Sequence, residues 1–167
     1  NKNTNNNNNF KNTICKKIAI NNYGYREIFG LQKTSIVNLS PKLQTIYKDD
    51  DYYYIFMNKE KINLLDFILN PYRKFTFTEN LFITKLILGN ISLLHNKCKL
   101  LHRDLKPSNL LISFKHKSDL NTENKIINNL TLKMIDFDCC QDLTSLYPDT
   151  LYPIGTTYSA YCTGLAC

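Results

Sequence analysis

The chain has 167 residues, 43% of them hydrophobic, and a formal net charge of +7 at pH 7. This length suits one domain with a sizeable core, and no apolar run approaches the roughly 18 residues that a membrane-spanning helix needs. Most of the 21 basic residues are dispersed lysines, whereas nucleic-acid-binding surfaces usually carry clustered arginines, so we predict neither a membrane nor a nucleic-acid partner.

Asparagine dominates the start of the chain. A polar low-complexity tract of this kind cannot bury enough apolar surface to fold, so residues 1–12 are predicted to be disordered. Residues 13–20, TICKKIAI, are rich in β-branched side chains and predict a strand. Pro41 interrupts the next segment, and residues 52–57, YYYIFM, predict a second strand that ends in a polar turn.

Two helices are predicted in the middle of the chain. Asn63 is placed to cap a short helix that ends before Asn70 and Pro71. Thr78 is placed to cap a longer helix, in which apolar residues recur at a spacing near 3.6 as far as His95. The sequence therefore predicts a β-rich first part followed by a helical second part.

Two β-type segments follow at residues 110–114 and 132–135. The stretch between them is polar and rich in Asn and Lys, which predicts a hairpin with an expanded loop. The second strand leads directly into Asp136, Phe137 and Asp138.

The most informative segment is residues 102–109, which read HRDLKPSN. It places Asp104 and Asn109 five positions apart on a short segment whose rigidity Pro107 increases by fixing its own φ angle. This octapeptide resembles the catalytic loop of eukaryotic protein kinases, and Lys106 and Pro107 make it similar to the Ser/Thr type. An exposed basic turn can hold the same residue types by chance, but rarely in this order.

The resemblance implies a role for each of the main site residues. Asp104 would be the catalytic residue that accepts the proton of the substrate hydroxyl, and Lys106 would neutralise charge on the γ-phosphate. Asn109 and Asp136 would hold Mg²⁺, because a hard divalent cation that bridges phosphate oxygens takes oxygen ligands. His102 would brace the loop against the metal-binding motif.

The resemblance extends to residues before the loop. The strand at residues 13–20 is similar to the kinase strand that carries the ATP-binding lysine, so Lys16 would contact the α- and β-phosphates; an ordinary surface lysine is the alternative. Glu27 would be the helix carboxylate that pairs with Lys16, with that helix and the following strand lying within residues 25–39. Met57 would mark the place where the adenine meets backbone groups.

Three features depart from the kinase pattern. Asp138 stands where the family usually has Gly, which restricts the backbone of the metal-binding motif and adds a negative charge. The Asn tract occupies the place of the glycine-rich loop, so phosphate binding by that loop would be weakened or absent. Residues 155–160, GTTYSA, resemble the end of the activation segment, but Tyr161 and Cys162 replace the usual Pro-Glu.

Candidate acceptors of a regulatory phosphate are Thr144, Ser145, Thr150, Thr156 and Thr157.

The cysteines and the start of the chain bear on the compartment. The six cysteines form no C-x-x-C pair and have no histidine at metal-ligand spacing, so neither a zinc site nor a disulfide framework is indicated. The Asn-rich start lacks the apolar core of a signal peptide. We therefore predict an intracellular protein, cytoplasmic or nuclear.

Together these observations predict an α+β, protein-kinase-like two-lobe fold that is incomplete, with a partial β-rich small lobe and the start of a helical large lobe. The predicted organisation is a disordered segment at 1–12, a partial kinase domain at 13–160 and a divergent tail at 161–167. The predicted function is a Ser/Thr protein kinase fragment that uses ATP and Mg²⁺ on a protein substrate. The alternatives are a pseudokinase or nucleotide-binding scaffold, and a fragment that does not fold alone.

Overall fold

The computed structural model describes residues 12–71, 74–114 and 130–144. The predicted disorder at residues 1–11, most of the predicted hairpin loop and the segment from residue 145 to residue 167 lie outside the described residues. Asn12, the last residue of the Asn-rich tract, accepts a hydrogen bond through its carbonyl oxygen from Lys59 N at 2.7 Å.

A three-stranded antiparallel sheet forms the first part of the molecule. Its strands are β1 (Thr13–Ala19), β2 (Leu43–Lys48) and β3 (Tyr52–Asn58), in the order β1-β3-β2. Lys16 on β1 lies opposite Ile55 on β3, and Ile55 is fully buried. Because directly opposed residues share a face of the sheet, Lys16 lies on the inner face.

Helix α1 (Asn22–Ile36) follows β1, and the Asn21 side chain caps it by accepting a hydrogen bond from Gly24 N. The prediction that residues 25–39 hold both this helix and the next strand is wrong, because the helix runs to Ile36 and the strand β2 begins only at Leu43. Asn38 adopts a left-handed conformation with φ of 60° after the helix. Pro41 then separates the helix from the strand, since proline has no backbone N–H to donate.

The second part contains two helices, α2 (Leu64–Ile68) and α3 (Phe77–Asn96). Asn63 caps α2 as predicted, by accepting a hydrogen bond from Asp66 N. The prediction that Thr78 caps the long helix is wrong: Thr76 is the cap, and it forms a capping box with Glu79. Only Thr76 has a Glu three residues later, which is the spacing that lets both side chains bond the opposite backbone N–H.

Loss of this cap gives a first testable prediction. Thr76→Ala is expected to lower the free energy of unfolding by about 1 kcal/mol, because the Glu79 N–H loses its side-chain acceptor. Thr78→Ala is the matched control and should change the stability by less than about half of that amount. Chemical denaturation of both variants measures the difference, and equal losses would show that the box does not stabilise the helix.

Short strands complete the second part of the molecule and pack with α3 around its core. Strands β4 (Ile62–Asn63), β6 (Leu110–Phe114) and β7 (Leu130–Met134) form one sheet in that order, and β5 (Leu100–Leu101) pairs with β8 (Gln141–Asp142); all pairs are antiparallel. Leu94, Leu100, Ile112 and Met134 are fully buried between α3 and these strands. None of the helices in the described residues is both long enough and apolar enough to cross a membrane.

Candidate active site

The loop between β5 and β6 brings three of the predicted site residues together. Asp104 Oδ2 accepts hydrogen bonds from Lys106 Nζ at 2.7 Å and from Asn109 Nδ2 at 3.0 Å. Asn109 Nδ2 also donates to the Asp104 carbonyl oxygen at 3.0 Å. Because the NH₂ group of Asn109 is directed at Asp104, the amide oxygen is the atom that can ligate a cation.

A lysine and two carboxylates from distant parts of the chain form the second half of the site. Lys16 Nζ lies 2.8 Å from Glu27 Oε1 and 2.8 Å from Asp136 Oδ1. The other oxygen of Glu27, Oε2, accepts a hydrogen bond from the backbone N–H of Phe137. The strand β1, the helix α1 and the motif after β7 are therefore joined through one ammonium group.

Backbone contacts join the two halves. Ile135 N donates to the Asn109 carbonyl oxygen at 3.0 Å, and His102 Nε2 lies 3.0 Å from the Ile135 carbonyl oxygen. The His102 and Phe137 rings are in contact, with 4.9 Å between their centroids. The loop at residues 102–109 therefore contacts both neighbours of Asp136 in the chain, Ile135 and Phe137.

Comparison with known proteins agrees with this geometry. The family model described as "Protein kinase domain" matches residues 2–161. The chain belongs to the protein kinase domain family. The predicted resemblance is confirmed, and so is the predicted fold class, a partial kinase-like fold with a β-rich small lobe.

Several kinases are similar to this kinase domain at low identity. Calcium-dependent protein kinase 4 of Plasmodium berghei (strain Anka) is 31% identical over 113 residues, which are 67% of this chain and 19% of the relative. The protein of the same name from Plasmodium falciparum (isolate 3D7) is 32% identical over 113 residues, again 67% and 19%. Cyclin-dependent kinase F-3 of Oryza sativa subsp. japonica is 29% identical over 135 residues, 81% of this chain and 27% of the relative. The chain thus spans from about a fifth to just over a quarter of these relatives' length.

Two residues of the candidate site have a backbone conformation that L-amino acids rarely adopt. Arg103 and Asp136 have φ values of 65° and 70°. Such a conformation costs of the order of 1–3 kcal/mol and persists only where surrounding contacts enforce it. Arg103 is held by a hydrogen bond from its Nε to the Cys139 carbonyl oxygen at 2.7 Å, and Asp136 is held by Lys16. The strain lies on the two segments that carry the site.

The electrostatics of the site follow from burial and from the ion pairs. Burial alone would lower the pKa of Lys16, but the attraction of Glu27 and Asp136 outweighs it, so the pKa is raised and the ammonium stays charged at neutral pH. Burial raises the pKa of Glu27 against the opposing effect of Lys16. Burial, and then the charge of Asp136, raise the pKa of Asp138. Asp138 is therefore within electrostatic reach of the predicted metal ligand.

The oxygen groups present suit a magnesium ion, which proteins usually bind through one or two carboxylates together with phosphate oxygens and water. Asn109 and Asp136 would supply an amide oxygen and a carboxylate from adjacent backbone segments. The described residues contain no group of three or more His, Cys, Asp or Glu that could hold a metal ion by themselves. The nucleotide phosphates would therefore have to complete the coordination.

The structure places the remaining predicted residues as follows. Met57 is 3% exposed and packs in the core, so its thioether is not available to a nucleotide base, and the predicted contact of the base with backbone groups near Met57 stays a prediction. Thr144 is the one phosphate-acceptor candidate in the described part of the chain, and its hydroxyl donates to Asp142 Oδ1 at 2.7 Å. Ser145, Thr150, Thr156 and Thr157 lie outside the described residues.

Sequence reasoning missed one residue that shapes the site. Gly30 lies on α1 where it faces Phe137, and a Cβ atom added there would lie 2.4 Å from Phe137 Cβ. Glycine is therefore required for the close approach of helix and motif. The signal in the sequence was a glycine inside a predicted helix, which is unfavourable unless packing demands it.

His102 gives a testable pH dependence. Burial lowers the pKa of His102 below its usual 6.5, even though the Ile135 carbonyl oxygen and nearby carboxylates favour the charged form. The unfolded chain then binds more protons than the folded chain, so stability is lost as the pH falls below 6.5, by up to about 1.4 kcal/mol per pH unit. We expect the wild type to show this slope and His102→Asn to lack it, when urea denaturation of the two proteins is compared over about pH 5 to 7.5. Parallel curves for the two proteins would contradict the assignment.

Proposed function

We propose that the chain is the catalytic part of a Ser/Thr protein kinase that transfers the γ-phosphate of ATP to protein hydroxyls. One observation carries the proposal: Lys16 bridges Glu27 and Asp136 at 2.8 Å each. This arrangement joins three elements around a single cation, next to the loop that holds Asp104 and Asn109. A lysine held in this way is already oriented for phosphate, so little ordering is needed when ATP binds.

Each residue has a defined task in the transfer. The substrate hydroxyl oxygen forms a bond to the γ-phosphorus, the bond from that phosphorus to the β–γ bridging oxygen breaks, and ADP leaves. Asp104 orients the hydroxyl and accepts its proton, and Lys106 neutralises charge on the transferred group. Lys16 holds the α- and β-phosphates. Asn109 and Asp136 would hold Mg²⁺, which would supply further neutralisation of phosphate charge.

The proposal includes a preference for Ser and Thr hydroxyls and an intracellular location. Lys106, two residues after Asp104, is the residue that makes the loop similar to Ser/Thr kinases, and its ammonium lies against the Asp104 carboxylate. The four cysteines in the described residues are thiols and not disulfides, which suits the reducing interior of a cell. A protein substrate and ATP are the proposed partners.

The second candidate is a pseudokinase or nucleotide-binding scaffold without phosphotransfer. Asp138 favours it, because this half-buried carboxylate adds negative charge beside Asp136, where phosphates and a cation would have to bind. The added charge would repel the phosphates unless a cation is bound first.

Two measurements on the full chain separate the candidates. Thermal unfolding in the presence of excess Mg-ATP should raise the Tm if the site binds nucleotide, because a ligand that binds only the folded state stabilises it. Incubation with γ-labelled ATP and a mixture of casein and histone should then label serine and threonine in those proteins. Stabilisation without labelling supports the nucleotide-binding scaffold, and the absence of both effects supports a pseudokinase and contradicts the proposed kinase.

A further inference from the structure

A charged cluster outside the site connects the linker between β3 and β4 (residues 59–61) to the hairpin that β6 and β7 form. Glu60 lies in this linker, and its Oε1 atom is 3.1 Å from Lys133 Nζ on β7. Its other oxygen, Oε2, accepts a hydrogen bond from the Ser113 hydroxyl on β6. Both oxygens of one carboxylate are therefore bound to the two strands of a single hairpin.

This ion pair differs from an ordinary surface pair in its burial. The side chains of Lys133 and Glu60 are only 15% and 12% exposed, so solvent screens their attraction weakly. Exposed pairs contribute little, whereas removal of one partner from a buried pair leaves a charge without compensation. The backbone fixes the same linker at its far end, where Ile62 on β4 pairs with Ile112 on β6.

The hairpin that Glu60 contacts also carries the proposed metal ligands. Asn109 directly precedes β6, and Asp136 follows the end of β7 after one residue. Ser113 lies on β6 and Lys133 lies on β7, so the two partners of Glu60 are on the same two strands as these ends. Glu60 therefore fixes the linker relative to the strands whose ends form the phosphate side of the site.

We infer that Glu60 is a positioning residue for the nucleotide base, an assignment that rests on the proposed function. The resemblance to kinases implies that the adenine would lie beside the linker that follows Met57, whereas in the proposed function the triphosphate contacts Lys16 and the metal ligands. The Glu60 contacts keep these two ends of the site at a fixed separation. Loss of the contacts frees the linker and weakens binding of the base, and it leaves binding of the phosphates unchanged.

The test compares Mg-ATP with magnesium tripolyphosphate, which has the phosphates but no base. We expect Glu60→Gln to raise the Kd for Mg-ATP about tenfold, which corresponds to the net loss of roughly one hydrogen bond. The Kd for tripolyphosphate should change by less than about twofold. The exchanged pair, Glu60→Lys with Lys133→Glu, should restore most of the ATP affinity, because it reverses the charges and keeps their attraction.

Two further variants keep the test decisive if Glu60→Gln folds poorly. Ser113→Ala removes only the hydroxyl and should raise the Kd for Mg-ATP about threefold. Lys33→Met is the matched control, because it breaks an ion pair of the same 3.1 Å length with Asp142, and it should leave both constants unchanged.

Three results would overturn the assignment. The first is that Glu60→Gln and Ser113→Ala bind Mg-ATP as tightly as the wild type does. The second is that they weaken the binding of ATP and of tripolyphosphate equally, which would indicate a general structural effect. The third is a wild-type chain that binds no ATP, which overturns the proposed function and the role of Glu60 with it.

Discussion

Asp104→Asn is expected to reduce phosphotransfer by about 10²- to 10⁴-fold while the affinity for Mg-ATP stays near the wild-type value. The amide has nearly the size of the carboxylate, but it cannot accept the proton of the substrate hydroxyl. It also loses the ion pair with Lys106, whose Nζ lies 2.7 Å from Asp104 Oδ2. Steady-state transfer of labelled γ-phosphate, measured beside a calorimetric titration with Mg-ATP, separates the two effects.

Asp66→Asn is the matched control for this substitution. Asp66 is an exposed carboxylate on α2, so its replacement changes the net charge by the same amount without touching the loop. We expect its turnover to equal that of the wild type. If Asp104→Asn also retained turnover within about threefold, the free-energy difference would be too small for a catalytic base, and the proposed role of Asp104 would be wrong.

The parts of the fold that depend on local pattern could be predicted from the sequence. The apolar, β-branched stretches at β1, β3 and β6 formed strands, and Asn63 capped α2, because these features depend on neighbours a few residues away. The start of α3 was predicted two residues too late. Thr76 and Thr78 are both plausible caps by residue type, and only the reciprocal bond with Glu79 distinguishes them.

The parts that depend on distant contacts could not be derived from local pattern. Lys16 and Glu27 were proposed as partners through the family resemblance, but nothing in their local sequence indicates that Asp136 approaches the same ammonium from 120 residues away. The Glu60 ion pair with Lys133 was missed for the same reason. From the sequence, Lys16 and Lys133 are each predicted to be ordinary surface residues. A strand pattern shows which face of the sheet a side chain is on, but it does not show what packs against that side chain.

Gly30→Ala is expected to lower the free energy of unfolding by about 1–3 kcal/mol, because it overpacks the contact between α1 and Phe137. The added Cβ would lie 2.4 Å from Phe137 Cβ and 2.7 Å from Phe137 Cγ. Every residue except glycine has a Cβ, so trimming the ring at position 137 would not make room. The helix or the motif backbone must move instead.

That movement should also reduce turnover, by about 10²-fold, since small displacements of catalytic groups have effects of this size. Glu27 lies one turn before Gly30 on α1, so an outward shift of the helix carries its carboxylate away from Lys16 and from the Phe137 N–H. The backbone directly after Asp136 then loses the hydrogen bond that the Phe137 N–H donates to Glu27. Denaturation and phosphotransfer assays measure the two effects on the same variant.

Gly89→Ala provides the opposite expectation on another helix. Gly89 lies inside α3, and an added Cβ would have no atom within 4 Å, so the substitution should stabilise the protein by about 0.5–1 kcal/mol through the lower backbone entropy of the unfolded chain. If Gly30→Ala behaved like Gly89→Ala, the contact between α1 and Phe137 would have to be looser than 2.4 Å implies. Opposite signs at the two glycines would show that close packing of helix α1 against the metal-binding motif, and not helix propensity, determines the residue at position 30.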